Sequence, residues 1–138
     1  MRYPLALALI SVLLGSCQLG VEVRVTGPPS APVIELDDGS DEGPDIDHIS
    51  VWRAGARQPF WEIRGADCLP ARSIRYGGLL PGFAAEGAAV PLEPGRAYMV
   101  AVEGCGHSGG AWFKIVGGRI VSRDGMGEAA QREVERAR

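Results

Sequence analysis

Glycine and proline break this chain into short pieces. Twenty glycines and ten prolines fall among 138 residues, and they separate nearly all of a series of short apolar or alternating runs. These are Val33 to Leu36, Ile49 to Arg53, Phe60 to Arg64, Ser73 to Tyr76, Tyr98 to Glu103, and Ala111 to Val116 leading into Arg119-Ile120-Val121. Runs of four to six residues between turn formers suit strands and are too short for helices packed by a 3.6-residue stripe. The expected fold is therefore all-β, an antiparallel sandwich of two small sheets. Helix is expected only outside that body, in an N-terminal signal-peptide helix and a short C-terminal helical tail over 124–138. In that tail Glu128 and Arg132 pair at i,i+4, but Ala130, Val134 and Ala137 make only a weak apolar stripe.

The N-terminus reads as a targeting segment. Arg2 precedes an apolar run from Leu5 to Leu14, broken only by Ser11. As a helix at ~1.5 Å per residue this run reaches about 15 Å, half of the ~30 Å hydrocarbon core, so it cannot be a stable membrane span. The small residues Gly15 and Ser16 suit cleavage after it. The string Leu14-Gly15-Ser16-Cys17 resembles the lipobox of bacterial lipoproteins. That resemblance implies removal of 1–16, attachment of a diacylglycerol to the Cys17 thiol and acylation of the new amino terminus. It also implies a membrane anchor and, with Gln18 rather than Asp after the cysteine, export to the periplasmic face of the outer membrane.

What remains is one domain's worth of chain. The expected division is a lipidated N-terminus and tether over 17–31 and a sandwich over 32–123. Val21, Val23 and Val25 alternate with charged residues within the tether and could pair as a short strand. Gly27-Pro28-Pro29-Ser30 follows as a break. Outside the cytosol, Cys68 and Cys105 are expected to form one disulfide.

The net charge of -3 hides an uneven distribution. Glu35 to Asp47 is rich in Asp and Glu and contains no base, whereas bases outnumber acids from His48 onward. With Gly, Ser and Pro44 in it, the acidic stretch 35–47 reads as a solvated loop. Its spacing does not supply a calcium-binding EF-hand loop. Bases are scattered rather than concentrated in one run, so nucleic acid is not an expected partner. Only His48 and His107 are available as histidines, and no metal site or cofactor is expected.

Leu92-Glu93-Pro94-Gly95-Arg96-Ala97-Tyr98-Met99-Val100-Ala101-Val102 resembles the L-x-P-G-x-x-Y-x-V-x-V signature of fibronectin type III domains. The resemblance spans about Pro32 to Ile120. It implies an immunoglobulin-like sandwich in which Trp52 is a core tryptophan and Tyr98 a tyrosine corner, its hydroxyl bonded to a backbone group a few residues upstream.

Gly106-His107-Ser108-Gly109-Gly110 matches the G-x-S-x-G nucleophile elbow. That elbow needs a strand-to-helix turn and a later histidine. No histidine follows His107, and Ala111 to Val116 continues as a strand, so a hairpin turn is expected and no catalytic residue is assigned. For binding, Phe60-Trp61 and Trp112-Phe113 are adjacent aromatic pairs in strand candidates, and strand neighbours point to opposite faces. One member of each pair is expected to face outward and build a stacking platform, with Arg64, Arg72 and Arg75 nearby to hold a carboxylate. The function expected is a non-catalytic, lipid-anchored binding module with a protein or envelope-polysaccharide partner. Alternatives are a periplasmic immunity protein against an exported toxin, and an envelope carbohydrate-binding or hydrolase accessory.

Overall fold

The computed structural model describes residues 19–124. Ten strands follow in order: β1 Leu19–Gly20, β2 Glu22–Thr26, β3 Val33–Asp37, β4 Asp45–Arg53, β5 Trp61–Pro70, β6 Ser73–Arg75, β7 Phe83–Ala85, β8 Ala97–Gly104, β9 His107–Val116 and β10 Arg119–Asp124. No helix occurs among the described residues. The expected signal-peptide helix and all of the expected C-terminal tail except residue 124 lie outside them, and β10 runs through Asp124.

The strands divide into two sheets. A larger one has the order β1-β9-β8-β4-β5-β7 with β10 also on β9, and a smaller one has the order β2-β3-β6. Every pairing is antiparallel except β1 with β9. Because strand side chains alternate, each sheet gives one face to the core. Val23, Val25, Ile34, Leu36 and Ile74 come from the smaller sheet. Ile49, Val51, Trp61, Ile63, Val100, Val102 and Phe113 meet them from the larger. The described residues thus form an all-β, two-sheet sandwich.

Several boundaries differ from the sequence reading. Within the expected tether, β1 and β2 belong to the sandwich from Leu19 onward, which is the strand pairing that the alternation allowed. Alternation over Val21, Val23 and Val25 buries all three, and that buried apolar area holds the segment down. The acidic loop is shorter than 35–47: β3 takes Glu35 to Asp37, and β4 begins at Asp45, because Ile46 and Ile49 are fully buried and pull their polar neighbours into the sheet. Strand β7 was not foreseen. Its burial pattern puts only Phe83 in the core, which is too little pattern to read.

Tyr98 is fully buried, and its hydroxyl oxygen accepts the Glu93 backbone N–H at 2.7 Å. Gly95, at φ 77°, makes the turn between them. The ring stacks on Phe113 at 5.4 Å and meets Phe60 at 5.7 Å. A disulfide joins Cys68 to Cys105 with Cα atoms 6.1 Å apart, tying the far end of β5 to the β8–β9 turn.

Candidate binding face

Of the two aromatic pairs, each expected to turn one member outward, only Trp112-Phe113 does so. Trp61 and Phe113 are each 3% exposed and belong to the core. Phe60 precedes β5 and packs against the end of the core, with the Arg53 guanidinium 5.2 Å above its ring. Only Trp112 lies on the outward parity of its strand. The second outward indole is Trp52, which the sequence reading had placed in the core. Its strand neighbours explain the correction: Ile49 and Val51 occupy the inward parity of β4, which leaves His48, Ser50 and Trp52 on the other face. That alternation was legible in the sequence, and Trp61 takes the core position instead.

Register brings the outward residues together. Trp52 on β4 sits opposite Met99 on β8, which sits opposite Trp112 on β9. With strands ~4.8 Å apart, the two tryptophan backbones are about 10 Å from each other. Met99 between them is only 3% exposed, although it lies outside the core cluster. The Trp52 indole N–H donates to Ser50 Oγ, two residues back on its own strand, at 2.9 Å. Its ring therefore lies along the strand rather than standing off the sheet. The Trp112 indole N–H is buried and finds no acceptor among the described residues.

Beside this row runs a floor of small residues. Ser50, Ala101 and Gly110 are in register across the same three strands, so nothing tall separates the indoles from the polar row beyond. From its place opposite Ser50 at the end of the floor, the Glu62 carboxylate lies 2.7 Å from both His48 Nε2 and Arg64 of the next row, where His48 Nδ1 lies 3.4 Å from Glu103. His48 and Glu62 are largely shielded, with side chains 18% and 17% exposed. The face thus combines an aromatic row, a flat floor and a fixed polar margin.

The three arginines expected together are not together. Arg64 belongs to this margin, whereas Arg75 pairs in β6 of the opposite sheet. Arg72 lines a shallow depression of about 340 Å³ on that sheet, with Arg24, Glu22, Glu35, Asp37 and Ser40. There Arg24 is already paired with Glu22 at 2.7 Å, and the mixed charges leave no single-sign field for an anion.

The G-x-S-x-G string forms the β8–β9 hairpin. Cys105 takes a left-handed φ of 46° in its turn, and His107 to Gly110 lie within β9. His107 and Ser108 are consecutive on a strand and so project to opposite faces. His107 Nε2 instead faces the Asp38 carboxylate at 3.5 Å. The Ser40 hydroxyl and backbone N–H both bond to Asp38, and with His107 nearby they hold this carboxyl below the usual range. Among the described residues no group of three or more His, Cys, Asp or Glu side chains could hold a metal ion. No protein-family model matches the chain, and comparison with curated proteins and with solved structures gives no match either.

Proposed function

We propose that this protein is a non-catalytic, lipid-anchored envelope protein whose sandwich is a binding module, and that it binds through the outer face of β4, β8 and β9. The row Trp52-Met99-Trp112 carries this reading. Met99 is covered, so the two partly exposed indoles that flank it supply the apolar surface, and apolar surface gathered on the face away from the core marks recognition sites. An envelope polysaccharide suits the face best: the ring lying along β4 offers a flat apolar surface to the C–H face of a sugar. His48, Glu62, Arg64 and Glu103 stand at the margin where ring hydroxyls would be met.

The anchor rests on the likeness of Leu14 to Cys17 to a lipobox, and the address on the periplasmic face of the outer membrane follows from it. The fold itself is inferred to be of the fibronectin type III kind. Two observations support that: the bond between the Tyr98 hydroxyl and Glu93, and the strand order. In immunoglobulin-like lettering β2, β3 and β6 stand as A, B and E, facing β4, β5, β8 and β9 as C, C′, F and G.

Cosedimentation with insoluble envelope polysaccharide tests the binding face. Trp52→Ala and Trp112→Ala should each weaken retention about tenfold, near the ~1 to 3 kcal/mol of a ring stacked on an aromatic side chain, while each variant still unfolds in one cooperative transition. A double variant that is retained as well as the parent would remove the face from consideration.

A further inference from the structure

The chain is fastened into the sandwich almost as soon as the described residues begin. The Leu19 N–H donates to the Gly106 carbonyl oxygen at 2.6 Å, and the Val21 N–H to that of Ser108 at 2.9 Å. Strand β1 thereby lies parallel on the first residues of β9. Gly109 permits the approach, because a Cβ there would overlap the Val21 carbonyl oxygen. The same end of the sandwich is braced twice more. Cys105 in the β8–β9 turn is bonded to Cys68, and His107 faces Asp38 of the acidic loop.

Two residue steps separate Cys17 from Leu19. A chain spans at most ~3.3–3.6 Å per residue, so the two Cα atoms lie within about 7 Å of each other in any conformation. A lipid on Cys17 would thus be attached to the β8–β9 end of a rigid body without a flexible tether. We propose that the membrane surface itself docks against this end. The β8–β9 turn and the acidic loop face the headgroups, and the strands rise from the bilayer so that the β4–β5 turn is farthest from it. This orientation rests on the acylation of Cys17 proposed above.

Chemistry at that end fits headgroup depth rather than insertion. Leu19, 59% exposed, adds apolar surface beside the acyl chains. Asp41 and Glu42, both exposed in the adjoining loop, oppose deeper burial, since charged carboxylates are costly to take from water. Trp112 lies five residues beyond His107 along β9, about 17 Å higher at ~3.4 Å per residue. Upright strands turn the Trp52-Met99-Trp112 face sideways, along the membrane plane, above the headgroups. The face would then meet a polymer running alongside the bilayer.

Energy transfer to the membrane tests the orientation. Full-length lipidated protein, with acylation at Cys17 verified by mass spectrometry, is reconstituted into phosphatidylcholine vesicles carrying a headgroup acceptor dye. A donor is placed at Glu42→Cys or at Arg57→Cys, both exposed and at opposite ends of the nine-residue β4. Transfer from position 42 should be at least about twofold greater than from position 57. Ten Gly/Ser residues inserted between Gln18 and Leu19 should abolish that difference. Equal transfer in acylated, uninserted protein overturns the orientation and leaves the anchor standing. A Cys17 free of lipid overturns the anchor and the orientation together.

Discussion

Tyr98 shows how one side chain closes this sandwich. Its ring fills the core between Phe60 and Phe113 while its hydroxyl takes up the Glu93 N–H at the turn. Tyr98→Phe keeps the ring and removes only the acceptor. Denaturant unfolding should show a loss of about 1 kcal/mol with an unchanged slope, the usual net value of one such bond. Asp38 makes a second local argument. Its carboxyl lies below the ordinary value because Ser40 donates to the charged form, first through the hydroxyl and then through the backbone. A carboxyl lowered in the folded state stabilises above the unfolded value near 3.8 and loses that contribution as pH falls through the lower folded one. Ser40→Ala should therefore melt below the parent at neutral pH. The gap should narrow once the pH drops under that value, as a pH series of thermal melts would show.

Strands decide which tryptophan matters to stability. Trp61 opens β5 facing the core, and Trp52 lies near the end of β4 facing away from it. Trp61→Ala should cost ~3 to 5 kcal/mol, the range for emptying a buried aromatic site. Trp52→Ala should cost less, because a ring that keeps part of its surface in water recovers less than full burial. Chemical denaturation of the two variants side by side checks the order, and a larger loss for Trp52 would contradict the register. Each of the six runs read as strands overlaps a strand, with only Phe60 and Tyr76 falling just outside β5 and β6, since alternation is a local property that packing then uses. What escaped was the parity of β4. Trp52 was assigned by its place in a family-like pattern, whereas Ile49 and Val51, three residues and one residue before it, already claimed the inward positions.

For the molecule as a whole, the Cys68–Cys105 bond spans 37 positions and joins β5 to the β8–β9 turn. A loop of that length implies about 4 kcal/mol from restriction of the unfolded chain, an upper figure that native strain reduces. Reduction should shift the denaturant midpoint down by a corresponding fraction of total stability, measured with and without dithiothreitol. Reduced protein as stable as oxidised would show that the sheets hold this end without the bond. Where β1 attaches has wider consequences, because a segment read as a tether proves to be part of the rigid body. Its alternation of valines was visible. The partners that make it two strands, β3 for the valines and the start of β9, nearly ninety residues on, for Leu19 and Gly20, were not.

Local chemistry was enough to establish short strands, the turns between them, the inward path of Tyr98 and the disulfide partners, since each depends on spacing along the chain or on there being few candidates. Folding in three dimensions settled the rest. Whether Trp52 and Trp112 share a face, whether Arg64 and Arg75 meet, and how close Leu19 comes to Gly106 all depend on strand order and register. Those are relations between distant segments, fixed by the joint burial of one core, and no stretch of neighbouring residues carries them.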